Sequence, residues 1–360
     1  MPTCGELPAA GTDTAEGWLG WVSTHREDVA LVVDDGRGTV VTHRADGAGP
    51  AAPGPSGAPG APGAPGAPAA SASKVLHLAA FTSAVADGTL DAGQPVTTAE
   101  WESWYVPGYD GGAHPRSLDF LQVPHDGSHA LDPRRTVRLA DLATVMIRFS
   151  DNGAADLLRD RLGDAALRST ADRVGWSAAD PPAFAGQLVV LLRPDLGPPS
   201  DASREERAAT ELTLGRRYAA DAAFRAEVGS APQPPPEHQP AWADGTARAP
   251  ASGLSALHRA ISDGSLGPGA DAARQELEWQ PPPDGALGLG FKGGSLPGIV
   301  AESMTLRRTD GTTASAVLMV REMPLESWVT ATQSFAHQQL LIGAMTEPAT
   351  LDRLRCATGG

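Results

Sequence analysis

The sequence predicts a mixed α/β protein of the α+β kind: an antiparallel sheet formed from both chain ends and flanked by helices, with an all-helical domain inserted between. Three observations predict it. Short β-branched runs lie near the start, three more strand-like runs lie near the end, and most of the sequence between them repeats its apolar residues at helical spacing. At 360 residues the chain has room for two compact domains, or for one with an elaborated half, on a prior of roughly 150 residues per domain.

A first helix is expected around Asp13–Thr24, where Trp18, Leu19 and Val22 share a face. Val29–Val33 and Thr39–Thr42 then flank the turn-rich Asp34–Gly38 and read as a hairpin. Residues 47–70 are low in complexity, with four Gly-Ala-Pro units from Gly57 to Pro68. Four triplets are too few for collagen-like pairing, so a polyproline-like or flexible insertion is expected. Helical spacing resumes over Lys74–Val85 and stops at Asp87-Gly88. Leu118–Pro133 looks irregular, and further helices are expected at Val137–Phe149, Gly153–Leu162, Ala165–Arg173, Arg204–Val228 and Ser252–Ile261. The Pro-rich Gly229–Pro250 reads as a surface loop. Leu287–Gly293, Ile299–Arg307 and Thr313–Arg321 read as strands, and Glu326–Met345 as one amphipathic helix. The expected units are a sheet unit from residues 1–46 and 285–360, the insertion at 47–70, and a mainly helical unit at 71–284.

A net charge of -15 argues against nucleic acid and anionic membrane surfaces as partners, since both recruit clustered Lys and Arg. No apolar run approaches the roughly 20 residues of a membrane span. The start shows no basic segment followed by an apolar one, so a cytoplasmic protein is expected. Cys4 and Cys356, at opposite ends, suggest neither a disulfide framework nor a metal site. The nine histidines form no close pair with metal-ligand spacing, so neither metal nor other cofactor is expected.

One oddity of composition directs attention to particular residues. The chain holds only two lysines, Lys74 and Lys292, and a single asparagine, Asn152. All three fall in patterns that carry chemistry. Ser71-Ala72-Ser73-Lys74 puts a hydroxyl and an amine on one face at the start of a helix. Serine is a weak nucleophile until a neighbouring base takes its proton, and a lysine of depressed pKa can do so. Ser150-Asp151-Asn152 lies in a break between helices, where a second hydroxyl could relay a proton and an amide could grip a substrate amide. Lys292-Gly293-Gly294-Ser295 ends a strand with a cation, and its glycines let a ligand lie against the strand edge. Each pattern alone is as readily a helix cap or a strand-end turn.

Together, in this order and in these settings, the three resemble the motifs of the class A β-lactamases and related penicillin-binding proteins. The resemblance covers nearly the whole chain and implies a β-lactamase-like fold. It implies Ser71 as an acylated nucleophile, Lys74 as its base directly or through a water, and Ser150 as a proton shuttle. Asn152 would hold the substrate amide, Lys292 would anchor anionic groups, and the backbone N–H groups of Ser71 and Ser295 would form the oxyanion hole. Gly293, Gly294 and Ser295 would line the substrate, and Trp104 and Tyr105 fall where such folds often place an aromatic wall. His114, nearby, reads as incidental.

Three departures qualify that picture. The family's deacylating glutamate lies between the second and third motifs, yet no Glu occurs from Gly153 to Arg204. Gly293 stands where the family has a Thr or Ser that helps bind a substrate carboxylate, and no Arg follows between Ser295 and Leu306. No export signal is visible. The expectation is a monomeric intracellular serine hydrolase acting on a small acyl substrate (a β-lactam, ester or amide). The alternative is a penicillin- or acyl-binding sensor that is acylated or occupied without turnover.

Overall fold

The computed structural model describes residues 4–47 and 66–360. Most of the expected insertion, including its Gly-Ala-Pro units up to residue 65, therefore lies outside the described residues. In chain order, the elements that build the site are helix α1 (Ala15–Thr24) and strands β1 (Val29–Asp34) and β2 (Val40–His43). Helices α2 (Lys74–Ala86), α3 (Leu139–Arg148), α4 (Asn152–Leu162), α5 (Phe184–Leu192) and α6 (Ala251–Asp263) follow. The chain closes with strands β3 (Ala286–Leu296), β4 (Ile299–Arg308) and β5 (Thr313–Val320), then helices α7 (Ala336–Thr346) and α8 (Pro348–Thr358).

The five strands form one antiparallel sheet in the order β2-β1-β5-β4-β3, so the hairpin from the start of the chain pairs with strands from its end. Both faces of that sheet are covered. Leu31, Val33, Leu318 and Val320 pack toward the terminal helices with Trp18, Leu340 and Leu354. Ala30, Val32, Val317 and Met319 face the helical domain and join Leu76, Leu142 and Leu254. Burial on two sides is why β1 and β5 read as continuous apolar runs rather than alternating ones. The predicted fold class, a sheet from both chain ends with a helical domain inserted, is the one observed.

Several local expectations are corrected. The expected terminal helix is two, Leu325–Ser334 and α7, because Phe335 turns into the left-handed region with φ 52°. The expected helix over Arg204–Val228 breaks at Asp221, whose carboxylate accepts from the N–H groups of Ala223 and Phe224 and restarts the helix. Ala67–Pro68 is no part of a flexible insertion, since it pairs with Arg248–Ala249 and is buried. The segment expected to be irregular, Leu118–Pro133, begins inside a helix, Ala113–Phe120, and neither that helix nor α5 was expected.

The cysteines are also corrected. Cys4 and Cys356 form a disulfide that ties the start of the chain to α8. Separation along a sequence says nothing about distance when both ends of a chain enter the same sheet unit. No helix among the described residues is long and apolar enough to cross a membrane. Protein made in an oxidising compartment and denatured without reductant should show no titratable thiol, rising to two after reduction; free thiols before reduction would contradict the pairing.

Candidate active site

A 3₁₀ turn, Ala70–Ser73, runs directly into α2 and presents Ser71 at its surface. Lys74 is the first residue of α2 and is wholly buried. Its Nζ lies 2.8 Å from Ser71 Oγ, 2.8 Å from the Ser150 carbonyl oxygen, 3.2 Å from Ser150 Oγ and 2.6 Å from Asn152 Oδ1. Four oxygens therefore surround one nitrogen that has at most three protons to donate. The fifth neighbour is apolar, with the Phe184 ring centroid 4.2 Å away. Burial, reinforced by the charge of Lys292, holds the Lys74 pKa well below that of a free lysine.

The second motif is positioned by backbone strain and a buried carboxylate. Ser150 has φ 73°, a left-handed conformation that costs a non-glycine residue free energy and turns its hydroxyl back toward Lys74. Asp151 caps α4, accepting from the N–H of Ala154 at 2.7 Å. It also accepts from Trp101 Nε1 at 3.2 Å and lies 2.8 Å from His114 Nδ1. His114 is fully buried and stacked on Tyr105, so the incidental reading of this histidine is wrong. Burial opposes its charge, but the carboxylates of Asp151 and Glu102 override that and raise its pKa to about 9. Trp104 and Tyr105 are likewise not an open wall. Trp104 packs into the helical core, and Tyr105 is buried against His114.

The third motif lies in the last residues of β3, which runs on to Leu296. Lys292 Nζ lies 3.0 Å from Ser150 Oγ and donates to the Gly293 carbonyl at 2.7 Å. Burial lowers its pKa to about 8, against the attraction of Glu302. Ser303, itself bonded to His258, fixes this strand by donating to the Lys292 carbonyl at 2.9 Å. Gly294 is required by close approach: a Cβ there would lie 2.5 Å from the Ser71 nitrogen and 2.6 Å from that of Ala72. At Gly293 the near neighbour is a side chain instead of backbone. Its cross-strand neighbour is Glu302, whose carboxylate oxygens lie 2.7 and 3.0 Å from where a Cβ would sit. A hydroxyl-bearing residue at this position would require that carboxylate to move aside. Ser295 is exposed and its hydroxyl accepts from Trp328 Nε1 at 2.7 Å.

All three motifs thus meet around Ser150 Oγ, which stands between two ammonium groups. Ser71, Ser150, Asn152 and Gly293 are partly exposed and form the surface a substrate can reach, while both lysine side chains lie beneath it. Sequence reasoning missed Trp101, His114 and Phe184. The only signal for His114 and Trp101 was their nearness to Trp104 and Tyr105. Phe184 follows a Pro-Pro pair and sits in a short helix that lacks amphipathic spacing. Asp156, buried beneath α5, accepts from the N–H groups of Phe184 and Ala185 at 2.9 and 2.6 Å and so holds that ring in place.

Comparison with known proteins agrees with this fold. Residues 66–187 match the family model described as the β-lactamase enzyme family. A β-lactamase from Sphaerobacter thermophilus DSM 20745 superposes with a TM-score of 0.54 at 16% identity, covering 89% of this chain and 95% of its own. A mutant of the class A β-lactamase of the last common ancestor of Gram-negative bacteria superposes with a TM-score of 0.52 at 14% identity, covering 93% of this chain and 100% of its own. No curated protein sequence matches the chain. The chain is a β-lactamase-like protein in fold, as its three motifs imply.

The raised pKa of His114 has a consequence for stability. Its charged pairing contributes fully below the unfolded-state value of 6.5 and is lost as pH rises through about 9. The stability difference between the wild type and His114→Gln, from urea unfolding, should therefore shrink by roughly 2–3 kcal/mol between about pH 6 and about pH 10. A constant difference would show that His114 is neutral in the folded protein.

Proposed function

We propose that the protein is a serine acyl-hydrolase that acts through a covalent acyl-Ser71 intermediate on a small ester, amide or β-lactam. The observation that supports this most is Lys74: a fully buried amine, 2.8 Å from a partly exposed serine hydroxyl and with its basicity displaced toward the neutral form. Neutral Lys74 takes the proton from Ser71 Oγ as that oxygen bonds to the acyl carbon. Ser150 Oγ, 3.2 Å from Lys74 Nζ, passes a proton to the departing heteroatom. Lys292 remains charged below about pH 8 and favours the developing negative charge. Asn152 holds the substrate amide once Lys74 releases its Oδ1, and the N–H groups of Ser71 and Ser295 receive the oxyanion.

One observation favours the second reading, a protein that is acylated but turns over slowly. Among the described residues no carboxylate is hydrogen-bonded to Ser71 or Lys74, and the Phe184 ring occupies the side of Lys74 that α5 closes. A water poised there for deacylation would lack a base other than Lys74 itself. The Cys4–Cys356 bond supports a working location in an oxidising compartment, where disulfides persist, over the cytoplasmic one expected from the sequence.

The test is intact mass spectrometry after incubation with a chromogenic short-chain ester or a fluorescent penicillin. One acyl group on Ser71 is expected, with none in Ser71→Ala and acylation slowed about 10²–10⁴-fold in Lys74→Ala. Undiminished labelling of Ser71→Ala, or no labelling by any reactive acyl donor, would overturn the reading. The acylation rate should rise with pH as Lys74 loses its proton and fall above about pH 8 as Lys292 does. A stoichiometric burst without steady turnover would select the sensor.

A further inference from the structure

We propose that Glu302 makes this site select acyl donors whose leaving group carries a neutral or cationic hydrogen-bond donor, and reject those bearing a carboxylate there. The proposal rests on the acyl-Ser71 reading and names the substrate class for it.

Glu302 is the direct cross-strand neighbour of Gly293 and is only 5% exposed. One carboxylate oxygen, Oε1, lies 2.8 Å from His337 Nε2 and accepts from Gln338 Nε2 at 3.4 Å. The other, Oε2, is buried and has no hydrogen-bond partner among the described residues. That oxygen lies against Gly293, 2.7 Å from where a Cβ would stand. A buried carboxylate oxygen without a donor is costly, and a ligand that brings an N–H to it recovers that cost.

A ligand on β3, the edge strand of the sheet, would reach the buried Oε2 past Gly293, which is partly exposed. Without a side chain at 293, a leaving group running along that edge from Ser71 passes next to the Glu302 carboxylate. A leaving-group carboxylate would meet like charge in a poorly solvated place, where repulsion is stronger than in water. Lys292 offers limited compensation, since its Nζ is already bound to Ser150 Oγ and the Gly293 carbonyl. A carboxamide or an ammonium supplies the donor that Oε2 lacks. The glycine at 293 and the acid at 302 are thus one feature: the acid occupies the space a hydroxyl-bearing residue would need and reverses the preference it would give.

The experiment compares three aryl esters of one acyl group, whose phenols carry a carboxylate, a carboxamide or an aminomethyl group at the same meta position. Phenol release and mass spectrometry give the second-order rate of Ser71 acylation, corrected for each ester's rate with hydroxide. For the wild type, the carboxamide and aminomethyl esters are expected to react at least about tenfold faster than the carboxylate. In Glu302→Gln the carboxylate-to-carboxamide rate ratio should rise by a similar factor. Equal rates or a carboxylate preference in the wild type overturns the proposal while leaving acyl-Ser71 chemistry intact, as does an unchanged ratio in the variant. Should Glu302→Gln fail to fold, the wild-type ranking decides alone. Failure of all three esters to acylate Ser71 overturns the underlying reading and this proposal with it.

Discussion

The burial of a single amine organises this molecule. Lys74 is wholly buried, so its protons go to protein oxygens, and the four within reach come from Ser71, Ser150 and Asn152. An ammonium in such a place is expensive unless fully bonded, and the second ammonium at Lys292 raises that cost further. The result is an amine displaced toward its neutral form, 2.8 Å from the Ser71 hydroxyl. The left-handed backbone at Ser150 brings both its carbonyl and its hydroxyl to the lysine.

The two structural units meet at this point. The helical domain supplies Ser71, Lys74, Ser150 and Asn152, whereas Lys292 comes from the edge of the sheet. Contact depends on glycine: the backbone at 294 lies so near the Ser71 turn that any side chain would push the units apart. Behind each motif stands a polar residue that reaches no substrate. Asp151 with His114 and Trp101 holds the break between helices, Ser303 with His258 holds the strand, and Asp156 holds Phe184 over the amine. Rigid support of this kind fixes hydroxyl and amine within hydrogen-bond reach before a substrate arrives.

The sequence made the fold class and the principal side chains legible because composition isolated them. With two lysines and one asparagine in 360 residues, each fell in a motif, and the structure brings all three around Ser150. What remained hidden depends on distances across the fold. The disulfide joins residues 352 apart in sequence, and no spacing rule reaches that far. His114 is one of nine histidines and is set apart only by lying against Asp151, 37 residues away. Glu302 looked like an ordinary strand residue until the register placed it opposite Gly293. That pairing gives a physical cause for the altered third motif, which the sequence could only record as a departure. The helix boundaries at Asp221 and Phe335 were missed because capping and a left-handed residue override an apolar pattern that runs through both.

The same scarcity of lysine makes the central claim directly measurable. With only two lysine side chains in the chain, ¹³C and ¹⁵N labelling of lysine gives two side-chain NMR signals that can be followed through a pH titration. The account predicts that neither titrates near the ordinary 10.5, that the Lys292 signal moves near pH 8, and that the Lys74 signal, assigned by its loss in Lys74→Ala, is displaced well below its normal range. Two signals titrating together near 10.5 would mean that both amines are solvated, and that the buried base on which everything else rests does not exist.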